Sequence, residues 1–136
     1  MKTATCPITA EQTHPLRHAV LWPDKPFDYV KIDNDEAGHH YGVFRNDELV
    51  AVISLFVDGP ISRFRKFAVR PDCQRMGIGT QLMHHVMGEA RRMNATTLWC
   101  DARLDAGGFY RRFGMEPVSE VFYKGPVPYA RFSLTL

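Results

Sequence analysis

The chain has 136 residues, of which 45% are hydrophobic and 24% are charged, and its formal net charge is +2. This length suffices for one domain with a single packed core, and the composition is that of a globular protein rather than a disordered or fibrous chain. The 17 Lys and Arg nearly balance the 15 Asp and Glu. Binding to a phosphate backbone needs a clear excess of cations, so we expect no nucleic-acid partner. One domain over residues 1–136 is expected.

The cysteines and the apolar segments bear on compartment and on metal binding. Cys6, Cys73 and Cys100 lie far apart in the sequence, which predicts reduced thiols rather than a disulfide framework or a metal site. The longest apolar run, residues 49–57, is about half of the ~20 residues that a membrane helix needs. The first residues carry no apolar signal segment. We expect a cytoplasmic protein with no membrane contact and no metal.

The N-terminal part of the chain is predicted to form a short strand, a helix and a loop. Residues 9–12 read "TAEQ", and Thr followed three residues later by Gln is the capping-box pattern that begins helices. Pro15 lies inside the helix that follows, where proline removes a backbone donor. We therefore expect either a kinked helix or two short helices.

Three consecutive antiparallel strands are predicted next. The segments "HHYGVFR" and "LVAVISLFV" are separated by the polar turn "NDE", which favours a hairpin, and "ISRFRKFAV" follows after "DGP". The second segment is apolar almost throughout and rich in Val and Ile. This pattern is typical of a central strand that is covered on both faces.

The second half of the chain alternates helices and strands. Apolar residues recur every three or four positions over residues 77–93, which predicts an amphipathic helix. Then come a buried strand "TTLWCDA", a short helix "AGGFYRRF" that Asp105 caps and Gly114 ends, and two strands around "EVFYKG" and "YARFSLTL". The predicted order is β-α-β-β-β-α-β-α-β-β, an α/β fold in which ligands bind at the carboxyl ends of strands.

The segment "FAVRPDCQRMGIGTQLM" joins a predicted strand to the long helix through two glycines. It lacks the third glycine of the dinucleotide fingerprint and the Gly-Lys-Ser/Thr of a P-loop. The first turn of a helix offers unpaired N–H groups and partial positive charge, and Arg75 adds a full charge. A pyrophosphate fits such a turn. The alternative is that Gly77 and Gly79 only allow the helix to pack on the sheet.

Two motifs give the chain a specific resemblance. "VRPDCQRMGIGTQLM" resembles the acyl-CoA motif of the GNAT superfamily of N-acyltransferases, which Gln74, Gly77 and Gly79 match. "AGGFYRRFGM" is similar to the second family motif, with Met115 in place of its final aromatic residue. Arg103 stands where many members have Asn. The resemblance implies a mixed central sheet with helices on both faces, and acetyl transfer from acetyl-CoA, the co-substrate, to a primary amine.

The resemblance also implies which residues hold the co-substrate. In the family, the strand before the glycine turn splays from its neighbour, pantetheine inserts like a strand, and a backbone N–H, here that of Val69, faces the thioester oxygen. Tyr110 is then the general acid that protonates the leaving thiolate. The implied co-substrate residues are Phe67, Ala68, Val69, Gln74, Arg75, Met76, Gly77, Ile78, Gly79, Thr80, Arg103 and Phe109.

The general base is open between several candidates. His39 and His40 are neighbours on a predicted strand and point to opposite faces, so one of them at most reaches the cleft. His40 and Asp101 are taken as the first candidates. Their rivals are Glu36, Asp58 and a chain of water molecules.

The acceptor is expected to be held by the variable parts of the chain. Aromatic and cationic candidates there are Arg17, Trp22, Phe27, Tyr123 and Tyr129. The acceptor amine is a small molecule, a peptide N-terminus or a lysine, and the sequence leaves these open, as it does a homodimer. The alternative function is a non-catalytic CoA-sensing or protein-interaction module of the same fold.

Overall fold

The computed structural model describes residues 3–136, in which eight strands form one mixed sheet with helices packed against it. The strands are β1 (Thr3–Ile8), β2 (His39–Arg45), β3 (Glu48–Asp58), β4 (Ile61–Val69), β5 (Thr97–Arg103), β6 (Glu116–Pro117), β7 (Phe122–Lys124) and β8 (Val127–Thr135). The α-helices are α1 (Ala10–Leu16), α2 (Ile78–Arg92) and α3 (Gly107–Arg111). A π-helical turn (Arg17–Leu21) follows α1, and 3-10 turns lie at Phe27–Val30, Asp35–Ala37, Pro71–Cys73 and Leu104–Ala106.

The observed topology confirms the predicted fold class and adds one short strand. The strands lie in the order β1-β2-β3-β4-β5-β8-β6, and β7 pairs with β8. The β4–β5 pair is parallel and the other pairs are antiparallel. The two-residue β6 had no sequence signal, because a strand this short has no alternation to detect.

The N-terminal helix begins where the capping box predicted. The Gln12 N–H donates to Thr9 Oγ1 at 3.2 Å, and the Thr9 N–H donates to Gln12 Oε1 at 2.8 Å. The α-helix ends at Leu16, directly after Pro15, and continues as the π-helical turn. Of the two alternatives expected, a kinked helix or two short helices, the structure shows a short α-helix followed directly by a π-helical turn. Leu16 packs against β3 and β4 on one face of the sheet.

The hairpin and the central strand were also predicted correctly. Asn46 and Asp47 connect β2 to β3 with φ angles of 51° and 68°, the two left-handed residues of a twisted hairpin turn. Residues 50–55 of β3 are all buried, because helices cover both faces of the sheet there. One face carries α1, and the other carries α2 and α3 over the main apolar core.

The predicted cap of the short helix is wrong. Asp105 does not cap α3, which begins at Gly107 after Ala106, and no side chain caps it. A 3-10 turn precedes the helix, and the Asp105 carboxylate instead accepts from Arg103 at 3.1 Å. Gly114, with a φ of 92°, makes the left-handed turn that was predicted after this helix.

The sheet opens between β4 and β5. These two strands pair at three positions, where Ile61 to Arg63 lie opposite Thr97 to Trp99. Beyond Arg63 they diverge, and β4 keeps its pairing with β3. The β3–β4 register shifts between Val52 and Ser54, and Lys66 takes a left-handed φ of 56° opposite this shift. The bulge bends β4 away from β5 and leaves an opening inside the sheet.

Among the helices formed by residues 3–136, none has the length and apolar content that a bilayer span requires. The same residues contain no cluster of three His, Cys, Asp or Glu suited to a metal ion.

Candidate active site

The opening between β4 and β5 holds a cleft of about 650 Å³. Its walls come from the end of β4, the glycine turn, the first turn of α2, and α3. The lining residues are Val20, Phe67, Ala68, Val69, Gln74, Arg75, Gly77, Gly79, Thr80, Ala106, Phe109, Tyr110 and Arg112. Ten of these thirteen are among the residues that the sequence assigned to the co-substrate or to catalysis.

The cleft passes through the sheet. Val20 and Ala68 belong to the apolar cluster on the α1 face, whereas Phe67 and Phe109 pack against the core on the opposite face. Residues from both faces line one cleft, so it has two mouths. A long molecule that enters from the α2 face can therefore meet a second molecule that enters from the α1 face.

The backbone of β4 turns one hydrogen-bonding edge toward the cleft. The Arg70 N–H donates to the Val50 carbonyl of β3 at 2.8 Å. Because backbone directions alternate along a strand, the N–H and C=O of Val69 point away from β3. The Val69 carbonyl accepts from the Gln74 side chain at 3.0 Å. The Val69 N–H faces the position where β5 has already diverged.

The glycine turn opens the N-terminus of α2 to the cleft. Arg75 and Gly77 have φ angles of 64° and 80°, and no side chain caps the helix at Gly77. The first N–H groups of α2 therefore lack helical acceptors. A Cβ on Gly79 would lie 3.4 Å from the Phe67 ring and 3.5 Å from the Phe109 ring, so a larger side chain would fill the cleft. This turn fits the pyrophosphate of the co-substrate implied by the sequence.

Tyr110 lies on α3 and lines this cleft. Aromatic rings surround it, with centroid distances of 5.7 Å to Phe64, 5.2 Å to Phe109 and 6.2 Å to Phe132. Burial, and secondarily the neighbouring Cys100, raises the pKa of Tyr110 above its ordinary value. Its hydroxyl makes no hydrogen bond with residues 3–136. The hydroxyl therefore stays protonated near neutral pH and is available as a donor.

Three of the co-substrate residues implied by the resemblance lie outside the lining. Met76 is 44% exposed and points to Arg45, whereas Ile78 is 1% exposed and lies in the core. Only their backbone groups can take part in the turn. Arg103, which replaces the family's Asn, is exposed and pairs with Asp105 at 3.1 Å.

Neither first candidate for the general base lines the cleft. His40 is buried, and its ring nitrogens lie 2.7 Å from Ser54 Oγ and 2.8 Å from the Asp35 carbonyl. Both nitrogens are therefore engaged. Asp101 accepts from Arg63 and from Arg131, at 3.2 Å each. The rivals His39, Glu36 and Asp58 are exposed and also lie outside the lining.

Arg17 was expected to face the acceptor, and that expectation is wrong. Its side chain is fully buried and donates to both carboxylate oxygens of Asp35 at 2.9 Å, to Ser54 at 2.9 Å and to the Val30 carbonyl at 3.0 Å. Burial by itself raises the pKa of Asp35, but hydrogen bonds from Arg17 and the Ile32 N–H outweigh it, so this pKa lies below its ordinary value. The pair fixes the loop after α1 to the sheet.

Three lining residues were missed by the sequence. Val20 lies in the π-helical turn, far from both motifs, and no local pattern marks it. Ala106 and Arg112 fall within the second motif, and Arg112 places its guanidinium 5.2 Å from the centre of the Phe109 ring. Their positions next to Tyr110 were the signal that could have identified them.

The relatives that sequence comparison finds for this chain include several N-acetyltransferases. A profile of the acetyltransferase (GNAT) family matches residues 8–115. The uncharacterized N-acetyltransferase YitI of Bacillus subtilis (strain 168) is 26% identical over 124 residues, which are 85% of this chain and 83% of that protein. The ribosomal protein bS18-alanine N-acetyltransferase of Escherichia coli (strain K12) is 28% identical over 86 residues, 63% of this chain and 56% of that protein.

Solved structures share the fold over the whole chain. A putative N-acetyltransferase from Lactobacillus plantarum superposes with a TM-score of 0.87 at 17% identity and covers 100% of this chain and 99% of its own. A GNAT family acetyltransferase from Elizabethkingia anophelis with acetyl-CoA bound has a TM-score of 0.78 at 18% identity, with 98% of both chains covered. At identities this low, the superpositions show that these proteins share a common fold.

Proposed function

The chain belongs to the acetyltransferase (GNAT) family and is an acyltransferase, and from that premise we propose that it moves an acetyl group from acetyl-CoA to a primary amine. The observation that carries this proposal is the opening between β4 and β5, which presents the free N–H of Val69 beside the uncapped amides of α2. One continuous cleft thus offers a site for a pyrophosphate and a site for an acyl carbonyl.

The chain's own groups account for co-substrate binding. The first amides of α2 hold the pyrophosphate, with Arg75 adding charge at the same turn. Gly79 keeps the space between the Phe67 and Phe109 rings open for the arm that follows. Gln74 donates to the Val69 carbonyl and thereby fixes the end of β4, and the Val69 N–H in the preceding peptide faces the acyl oxygen.

Two groups of the chain act on the reaction itself. The amine nitrogen forms a bond to the acyl carbon, the carbon–sulfur bond breaks, and the sulfur leaves with the bonding electrons. The Val69 N–H stabilises the charge that develops on the acyl oxygen, an effect usually of several kcal/mol. Tyr110 donates its hydroxyl hydrogen toward the departing sulfur. Because a free thiol has a pKa of ~8.5 and the pKa of Tyr110 is raised, this contact is a hydrogen bond that strengthens in the transition state.

The amine must lose a proton before it attacks. A simple alkylammonium group has a pKa of ~10.4 and is mostly charged at neutral pH. His40 and Asp101 are engaged elsewhere, so we assign proton removal to water in the cleft.

Membership of the family indicates an amine acceptor in general terms, but it specifies neither the particular acceptor nor the compartment. Members act on amines, and the name of the E. coli relative assigns it the alanine of a ribosomal protein. For this chain we propose a small-molecule or peptide amine. The free thiols of Cys6, Cys73 and Cys100 support a reducing compartment, the cytoplasm.

The test is a thiol-release assay with acetyl-CoA and a panel of amino acids, polyamines and peptides, combined with thermal melting. Acetyl-CoA should raise the Tm, because it binds the folded state, and NAD and ATP serve as matched controls. Turnover with at least one amine is expected. A Tm rise without turnover on any amine would favour the non-catalytic module, and a rise with NAD or ATP alone would refute acyl-CoA binding.

A further inference from the structure

The mouth of the cleft on the α1 face is marked by an unusual lysine. Lys66 occupies the β4 bulge immediately before Phe67, with a left-handed φ of 56°. Such a conformation is unfavourable for a residue with a side chain, and residues held in it concentrate at functional sites. The bulge that opens the sheet therefore also decides where the Lys66 side chain goes.

Lys66 reaches an aromatic side chain that borders the same mouth. Its Nζ lies 4.3 Å from the centre of the Trp22 ring. Trp22 directly follows the π-helical turn whose Val20 lines the cleft, and its ring contacts Tyr29 edge-on at 5.1 Å. The ammonium and the indole thus come from the two segments that supply Phe67 and Val20 to the cleft.

The charged neighbours that lower the pKa of Lys66 are cations. Burial, and then the charge of neighbouring cations, lowers the pKa of Lys66 to about 8. Those cations are Arg65, Lys124, Arg17 and Arg63. Arg17 is paired with Asp35, and Arg63 with Asp101. Arg65, Lys66 and Lys124 form no ion pair with residues 3–136.

Resting on the proposed function, we propose that the acceptor carries a carboxylate near its amine, and that Lys66 binds this carboxylate at the α1-face mouth, with Arg65 and Lys124 adding positive charge nearby. Three unpaired cations around a partly buried site complement an anion and repel a polyamine or a lysine-rich peptide. Trp22 supplies an apolar surface for the carbon chain between the two groups. The acceptor is then a free amino acid or the N-terminus of an acidic peptide.

The same three cations also help to explain how the acceptor amine loses its proton although no side chain of the cleft has been assigned as the general base. The three positive charges exceed the single negative charge of the bound carboxylate. The electrostatic potential at the acceptor's ammonium group therefore stays positive. A positive potential favours the neutral form of an amine. The site therefore promotes loss of the proton to water without a dedicated side chain.

The experiment compares acceptors that differ only in the carboxylate. One arm pairs β-alanine and 4-aminobutanoate with their amides. The other arm pairs a C-terminally amidated peptide bearing aspartate at its second position with the same peptide bearing asparagine. The carboxylate member of at least one arm should show kcat/KM about 10-fold or more above its partner, the scale of one hydrogen bond to a charged group. The arm that responds identifies the source of the carboxylate.

Two variants show whether Lys66 causes the preference. Lys66→Gln should lower kcat/KM of the carboxylate acceptor to the level of its amide. Lys31→Gln, at an exposed lysine paired with Asp28, should keep the preference. Equal or better turnover of the neutral partners by the parent protein, or an unchanged preference in Lys66→Gln, would overturn the proposal.

A binding measurement separates this proposal from the proposed function. The chain has two tryptophans, and the Trp22 indole signal in a nitrogen–proton spectrum can be assigned with Trp22→Phe. N-acetyl-β-alanine should shift that signal in the parent and leave it unmoved in Lys66→Gln, while its amide shifts neither. This shift tests the carboxylate site alone and does not depend on acetyl-CoA. A missing Tm rise with acetyl-CoA, or a lack of turnover with every amine, would instead count against the proposed function. Absence of the shift in the parent overturns the carboxylate site.

Discussion

The two ends of the cleft are built in different ways. The end at the glycine turn uses backbone amides from one short stretch of chain, residues 74–80, and its geometry comes from glycines and an uncapped helix. The end on the α1 face uses side chains from three distant segments, represented by Trp22, Lys66 and Lys124. A site built from backbone depends on the path of the chain, whereas a site built from side chains can change without disturbing the fold.

The two ends also differ in electrostatics. Helix amides are part of a regular helix and carry no titrating charge, so the glycine turn places no ionised group in a buried position. The α1-face mouth holds several like charges together in a partly buried place, which disfavours their charged forms. That arrangement is unfavourable in the free protein and becomes favourable when an anion binds.

Tyr110→Phe should show the largest effect, because Tyr110 is the proposed donor to the departing sulfur. Turnover should fall about 10²-fold, the usual scale for one hydrogen-bond donor that acts in the transition state, since only the donor to the sulfur is lost. The Tm and the Kd of acetyl-CoA should stay near those of the parent because the ring remains. Tyr41→Phe, on the opposite side of the core beside Glu89, is the control and should keep its turnover. Unchanged turnover in Tyr110→Phe would assign the donor role to another group.

Gly79→Val should affect the co-substrate end alone. The new methyl groups would meet the Phe67 and Phe109 rings and occupy the approach to the α2 amides, weakening acetyl-CoA binding about 10-fold or more. Titration calorimetry measures this Kd. Gly88→Val, on the same helix with open space around its Cβ, is the matched control and should keep the parent affinity. A folded Gly79→Val protein with the parent Kd would show that the pyrophosphate binds elsewhere.

Acceptor preference, which depends on the α1-face end, should change with pH, whereas acetyl-CoA binding at the glycine turn should not. Lys66 is cationic below its pKa of about 8 and loses that charge as pH rises through it. The preference for a carboxylate acceptor over its amide should therefore fall severalfold between neutral pH and about pH 9. The Kd of acetyl-CoA should change little over this interval, because amides do not titrate. A preference that persists at high pH would contradict a role for the Lys66 charge, as would a pH-dependent preference in Lys66→Gln.

The smallest effect is expected on stability. Burial lowers the pKa of Lys66 relative to its unfolded value, so the folded state binds this proton less well than the unfolded state. At neutral pH the charge therefore disfavours folding, and this penalty disappears as pH rises above the unfolded pKa of ~10.4. Lys66→Gln should have a Tm equal to or slightly above that of the parent at neutral pH. A marked drop in Tm would mean that the bulge needs the lysine for packing.

The sequence predicted those features whose signals are local. The capping box at Thr9, the apolar run of β3 and the glycine turn each lie within a few consecutive residues, and the structure has a matching element at each place. Their physical causes act between near neighbours in the chain, so residue order alone reveals them. The splay of β4 from β5 was reached only through the family resemblance, since the bulge at Lys66 has no sequence signature.

The failures involve residues whose partners are distant in the chain. Arg17 has the chemistry of a binding residue, but its partner Asp35 lies in a separate turn and buries it. His40 and Asp101 have the chemistry of a base, but Ser54 and Arg131 engage them across strands. Residue type indicates what a side chain can do, and only the fold decides which partner it meets.

The divergence of β4 from β5 gives the sheet an internal edge. Past Arg63 and Trp99 both strands expose unpaired peptide groups toward each other, in the middle of the sheet rather than at its rim. Hydrogen exchange of the Val69 amide is therefore expected to be fast in the free protein, whereas the Ala68 amide, which points toward β3, and the β3 amides exchange slowly. Under the proposed function, we infer that a bound pantetheine arm takes the place of the missing strand and joins the two halves of the sheet. The co-substrate would then act, during each catalytic cycle, as a structural element of the enzyme.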